Sequence, residues 1–272
     1  MSLLLGVVLL VALLYAFQDA LIYHPRRYSA EPARTLPAGA EALAFDRDGL
    51  RQEAYWAPGP AAGEGDPVYF VFGGNATLAL DWLDWVVAMQ RRRPGLSFLL
   101  VEYPGYGASE GRPSRRAMLR TALAARERLL ARLALPEAAL RSRTRVLAHS
   151  IGSGVGLEFA IEAGARAVML VSPFTTLVEE ARTVVGWPLC LLVRDRWDNH
   201  ARLRELLERA DRPEVRIYHG ADDDVIPVRM GRALAAAHPG FVRYEEWPGL
   251  GHNDVLDPLL ERLAGQSPAG AA

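Results

Sequence analysis

The chain has 272 residues, half of them hydrophobic and 23% charged, a composition that excludes an intrinsically disordered protein. Its 31 basic and 32 acidic residues leave a net charge of −1, so no basic field marks a nucleic-acid binder. Every basic residue is arginine, which excludes a Schiff-base or P-loop lysine. The single cysteine, Cys190, excludes internal disulfides and cysteine-clustered zinc or iron–sulfur sites.

No charged side chain precedes Asp19, and the apolar run from Leu3 continues to Tyr23. At about 1.5 Å per residue such a helix matches a bilayer core. Residues 1–23 are therefore read as a single-pass membrane anchor. The rival is a signal segment, disfavoured because no arginine precedes the run and no small-x-small cleavage site follows it. Arg26, Arg27 and Arg34 lie after the segment, so the positive-inside rule favours a cytoplasmic C-terminal domain. Residues 24–40 are rich in Pro and Ala and read as a linker or an extended arm, and a chain starting near Ala40 is expected to fold. Leu43–Asp46 and Leu50–Trp56 flank Asp48-Gly49, which predicts a β-hairpin.

From there short apolar runs alternate with helical stretches. The predicted strands are Val68–Phe72, Phe98–Val101, Val146–Ala148, Ala167–Val171, Val215–Tyr218 and Val242–Trp247. Helical composition covers Leu78–Arg92, Ser114–Leu133, Gly152–Ala163 and Val228–Ala237. This alternation predicts a mostly parallel, doubly wound α/β domain over 41–264. The interval 173–212 is longer than a crossover needs and predicts a small cap. Residues 265–272 are expected to be a disordered tail.

Chemistry concentrates at the predicted strand ends. In Ala148-His149-Ser150-Ile151-Gly152 a strand meets a small-residue turn and then a helix, the pattern of a nucleophile elbow displaying Ser150. A serine hydroxyl needs a base, and that base needs a carboxylate. Both are available at later strand ends. Asp222-Asp223-Asp224 follow Val215–Tyr218, and Gly251-His252-Asn253 follow Val242–Trp247. The order Ser150, Asp223, His252 then places all three groups on one sheet edge. The run Phe72-Gly73-Gly74-Asn75-Ala76 ends the first parallel strand and suits an oxyanion loop, so the backbone N–H groups of Asn75 and Ile151 are the predicted donors.

With these segments in view, Leu21 to Leu263 resembles the α/β-hydrolases, in particular their membrane-anchored branch of fungal Bem-type proteins and animal abhydrolase-domain lipid and thioester hydrolases. Besides the three catalytic loops, the resemblance rests on Glu102-Tyr103-Pro104-Gly105-Tyr106-Gly107, Ser172-Pro173-Phe174-Thr175-Thr176-Leu177 and Arg194-Asp195-Arg196-Trp197-Asp198-Asn199. It implies an α/β-hydrolase fold with a small cap, and it selects Asp223, three residues after Gly220, over Asp222 and Asp224. Two departures stand out. Gly73 occupies the position usually held by histidine, which implies a looser oxyanion loop, and Ala148 replaces the usual elbow glycine.

The expected function is cleavage of carboxylic esters or thioesters, with an acyl-chain or lipid-derived substrate, through an acyl-serine intermediate and without metal or organic cofactor. The alternatives are a membrane-anchored serine peptidase with the same triad and a non-catalytic binding module. A peptidase would favour cap acids that grip a substrate amine, and Glu179, Glu180, Asp195 and Asp198 are candidates. His149 and His219 are expected to point away from the site or into local packing, as structural rather than catalytic residues. Trp187 and Trp197 fall in the predicted cap, and the arginine-rich helix Arg115–Arg132 is expected to be solvated.

Overall fold

The computed structural model describes residues 2–29 and 36–265, so most of the expected tail and residues 30–35 of the expected linker lie outside the described residues. The chain opens with α1 (Ser2–Ile22) and the antiparallel hairpin β1 (Glu41–Arg47) and β2 (Leu50–Ala57). Asp48 and Gly49 both adopt positive φ, at 57° and 76°, the two-residue turn that matches strand twist. Six parallel strands follow: β3 (Val68–Phe72), β4 (Ser97–Val101), β5 (Thr144–His149), β6 (Ala167–Val171), β7 (Glu214–Gly220) and β8 (Val242–Trp247). The sheet order is β1-β2-β4-β3-β5-β6-β7-β8. Strand order therefore reverses at β3, and a crevice opens beside its C-terminal end, where open α/β sheets bind ligands.

Alternation along the parallel strands sends side chains to two cores. Phe70, Phe72, Val146, Val168 and Leu170 pack with α3 (Arg115–Leu133), α5 (Gly152–Ala163) and α7 (Asn199–Leu207). Val71, Leu147, Met169 and Val171 face α2 (Leu83–Arg92) and α9 (Leu256–Ala264). Helices α4 (Glu137–Arg143) and α9 carry too few residues to show a clear period, and they were not among the helices expected. Helix α8 (Arg229–Ala236) follows β7. Between β6 and β7 lie α6 (Leu177–Val185), a 3-10 turn (Leu189–Leu192) and α7. Helix α3 is not simply solvated. Arg126 is buried and forks onto Glu137, at 2.6 and 3.0 Å, while Arg115 pairs with Glu158 of α5.

The stretch after α1 packs against the domain as an arm rather than spacing it from the helix. Tyr23 is 1% exposed and its hydroxyl donates to Asp195 Oδ2 at 2.6 Å. Arg27 donates to the carbonyls of Gly107 and Ser109. Tyr28 donates to Glu102 Oε2 at 2.5 Å, and the Ala79 amide reaches the same carboxyl at 3.2 Å. Burial raises the Glu102 carboxyl to about 8, although these hydrogen bonds pull the other way. Because the folded value lies above the ordinary 4.5, the protonated acid favours the fold below that pH, and the contribution is lost as pH rises through 8. Melting temperature is therefore expected to fall between pH 5 and pH 9. Glu102→Gln should flatten that part of the profile. An unchanged slope in the variant would show that another group is responsible.

Candidate active site

Strand β5 runs into Ser150, and α5 begins two residues later. Ser150 sits at φ 57°, an uncommon conformation for a residue with a Cβ, and the neighbourhood enforces it. Its amide donates to Val171 O at 2.9 Å, and its carbonyl accepts from Ser153 N and Ser153 Oγ at 2.9 and 2.6 Å. A side chain at Gly152 would place its Cβ 2.6 Å from Gly73 O, so the helix can start here only without one. The Ala148 departure has a local compensation. A Cβ at Gly156 would stand 2.6 Å from the Ala148 Cβ, so the Ala148 methyl fits because α5 carries a glycine one turn in. Gly156→Ala should overpack the elbow and destabilise by roughly 1–3 kcal/mol, and adding Ala148→Gly should restore most of it. Additive losses in a denaturation cycle would refute that exchange.

The loop after β3 carries Gly73, Gly74 and Asn75. A Cβ on Gly73 would lie 3.1 Å from Trp82 Nε1, so the indole occupies the ground where a larger residue would stand. The loop is not loose. Gly73 O accepts from the Tyr103 hydroxyl at 2.9 Å. Asn75 Oδ1 accepts from the Tyr106 hydroxyl and the His24 amide, each at 2.9 Å, while Nδ2 donates to Ile22 O at 2.6 Å. The tyrosines after β4 and the end of α1 thus pin it from two sides. Gly74 lies against the elbow, where a Cβ would come 3.3 Å from the Ser150 Cβ.

Asp223 and His252 follow β7 and β8, and His252 Nδ1 lies 2.8 Å from Asp223 Oδ2. Asp223 Oδ1 accepts the amides of Val225 and Ile226 at 3.0 and 2.8 Å. Asp222 and Asp224 are exposed, whereas Asp223 is buried. Burial alone would raise the Asp223 carboxyl, but hydrogen bonds from His219 and His252 outweigh it and hold it far below the usual carboxylate range.

His149 and His219, expected to point away from the site or into local packing, both pack beside the proposed triad. His219 Nε2 lies 2.9 Å from Ile226 O and 3.3 Å from Asp223 Oδ2, which makes it a second imidazole on the acid. His149 Nε2 lies 3.2 Å from His252 O, and the two rings stack with centroids 4.8 Å apart. Complete burial, with His252 close by, lowers His149 to about 3 and keeps it neutral. His149 ends β5 and His219 stands one residue before the end of β7, so alternation sets the face each ring takes but not which loops fold back onto it. Trp197 is buried, its Nε1 donates to the Tyr23 hydroxyl at 3.3 Å, and its ring fills the space left by Gly154. Trp187, by contrast, is 71% exposed.

Ser150, Asn75 and Ile151 line a cavity of about 380 Å³, within the range of small-ligand sites. Its walls are apolar and come from α1, α6, the 3-10 turn and Val225–Ile226. Glu180 of α6 also faces it. One Glu180 oxygen is buried without a partner, and burial raises the carboxyl to about 7. Among the described residues no group of three or more His, Cys, Asp and Glu could hold a metal ion.

No protein-family model matches the chain. It is 32% identical over 246 residues to the uncharacterized protein Rv2307c of Mycobacterium tuberculosis, covering 90% of this chain and 83% of that one. It is 28% identical over 270 residues to the alpha/beta hydrolase domain-containing protein WAV2 of Arabidopsis thaliana, covering 90% and 84%. The fold agrees with that description. An alpha-beta hydrolase from Vibrio vulnificus superposes with a TM-score of 0.67 at 17% identity, covering 94% of this chain and 90% of that one. The chain has the α/β-hydrolase fold. The Pyrococcus furiosus esterase PF2001 shares this hydrolase fold, with a TM-score of 0.66 at 12% identity and coverage of 89% and 96%.

Proposed function

We propose that this α/β-hydrolase is a membrane-anchored serine hydrolase that cleaves carboxylic esters or thioesters of apolar acyl groups. The observation that carries the reading is the 2.8 Å approach of His252 Nδ1 to Asp223 Oδ2 on the same sheet edge as the positive-φ Ser150. Ser150 Oγ adds to the substrate carbonyl as its proton passes to His252 Nε2. Asp223 holds the imidazole tautomer and stabilises the imidazolium. The backbone N–H groups of Ile151 and Asn75 receive the oxyanion, the first of them at the start of α5. Collapse breaks the C–O or C–S bond, and His252 returns its proton to the leaving alcohol or thiol. Water activated by the same imidazole then frees the acid. No step calls for a metal or organic cofactor. The apolar cavity supports an acyl substrate, as does the description of the Pyrococcus protein as an esterase. Leu5–Ile22 of α1 is long and apolar enough to cross a bilayer, which supports the anchor.

One observation bears on the peptidase alternative. Glu179 accepts from Thr175 Oγ1, Asp195 from Tyr23, and Asp198 caps α7, so the fold itself uses these cap acids. Glu180 is left to meet a substrate amine. The test is turnover of a panel of acyl esters, acyl thioesters and peptide arylamides by the full chain. Hydrolysis of esters or thioesters alone is the expected result. Arylamide cleavage would transfer the site to the peptidase reading, and no turnover of any member would favour a binding module.

A further inference from the structure

Helix α1 is more than a tether, because one of its faces belongs to the active-site cavity. Gln18 is buried within a largely apolar helix. Its Nε2 donates to Leu192 O at 3.2 Å, and its Oε1 accepts from the Arg194 amide at 2.7 Å. Asp19 pairs with the Arg194 guanidinium at 2.7 Å, and the same guanidinium lies 5.3 Å from the centre of the Tyr15 ring. These ties fix the helix in rotation as well as position. Leu14, Gln18 and Leu21 are spaced i, i+4, i+7, so they form one stripe, and all three line the cavity that holds Ser150. Opposite them stand Leu177, Val184 and Leu189 of the cap.

The apolar surface continues outward from this cavity. Val184, Trp187 and Leu191 are exposed on the cap, and α1 is exposed along Val7–Leu10. An apolar rim beside a helix long enough to cross a bilayer suits a lipid surface. The end of α1 that touches Asn75 would then lie at the interface, where the ester groups of lipids sit, while Leu14 lies about 12 Å deeper along the axis.

We propose that α1 is the acyl-chain wall of the active site, with Leu21 and Leu14 holding successive parts of a membrane-derived acyl chain against the cap. The proposal rests on the serine-hydrolase reading for its chemistry but makes its own claim about chain length. Leu21→Trp narrows the cavity near Ser150, and Leu14→Trp narrows it further out. Leu10→Trp, on an exposed part of the same helix, serves as the control.

The experiment measures kcat/KM for nitrophenyl butyrate, laurate and palmitate with the full chain in detergent micelles. In parallel, the Ser150→Ala chain is titrated with a fluorescent long-chain fatty acid. Leu21→Trp should lose at least tenfold more on laurate and palmitate than on butyrate. Leu14→Trp should lose most on palmitate, and Leu10→Trp should change neither. Fatty-acid binding should weaken in the same order. Leu21→Ala, which introduces no clash, should also weaken fatty-acid binding several-fold. Fatty-acid binding that answers to Leu21, with no ester turned over, would sink the hydrolase chemistry and leave the wall standing. Ester turnover and fatty-acid binding that are both indifferent to Leu21 and Leu14, or equal losses on all three esters, would overturn the wall.

Discussion

Ser150→Ala is expected to reduce ester turnover by roughly ten-thousand-fold to a million-fold while leaving the melting temperature nearly unchanged. The two halves of that expectation have separate physical grounds. The elbow is held through the backbone of Ser150, by Val171 O, Ser153 N and Ser153 Oγ, so the hydroxyl is not what fixes the turn. Chemistry, on the other hand, rests on the Ser150 hydroxyl in the proposed mechanism. The nearest imidazole outside the proposed triad, His149, is kept neutral and engaged with His252 O. Asp223→Asn should also lower turnover strongly, because the amide can no longer stabilise an imidazolium at His252. A folded Ser150→Ala chain with wild-type ester turnover would remove the proposed mechanism.

A chain beginning at Ala40 is expected not to fold stably, in contrast to one beginning at Gln18. Removing residues 1–39 takes Tyr23 out of the core and leaves Asp195 and Trp197 Nε1 without their hydroxyl partner. It strips Tyr28 from the buried Glu102 and unties Asn75 from Ile22 and His24. Deleting a buried aromatic costs about 3–5 kcal/mol, and each buried polar group left unpaired adds about 1–3. Against a typical total of about 5–15 kcal/mol, losses at two tyrosines and one asparagine leave little fold. Starting at Gln18 keeps all these contacts. Thermal unfolding of the two truncated chains checks the point, and equal cooperative transitions would show that residues 18–28 are dispensable.

That expectation reverses the one drawn from the sequence, and the reason is instructive. Strands such as Val68–Phe72 and Ala167–Val171, and the Asp48-Gly49 turn, declare themselves through local pattern, because local sterics and burial on both faces determine them. The same holds for the elbow, where small residues are forced by neighbouring backbone. Tyr23 and Tyr28 declare nothing locally. They sit between an apolar helix and a Pro/Ala-rich stretch, and their partners Asp195 and Glu102 lie 172 and 74 residues away. Gly156 was invisible for a related reason, since its meaning depends on the methyl of Ala148 across a helix–strand contact. The contact of His219 with Asp223 was not legible because it depends on the loop beyond β7 folding back onto a paired strand residue. Glu180 could have been suspected as an acid on the otherwise apolar face of α6, but its exposure to the cavity depends on α1 and Val225 closing the other sides.

The most direct measurement is the site of covalent capture. The full-length chain is treated with a fluorophosphonate, digested, and read by peptide mass spectrometry beside Ser150→Ala, His252→Ala and Asp223→Asn. One adduct on the peptide carrying Ser150 is predicted, absent in Ser150→Ala and formed much more slowly in the other two variants. Equal labelling of wild type and Ser150→Ala, or an adduct on a different residue, would contradict the assignment of Ser150 as the nucleophile.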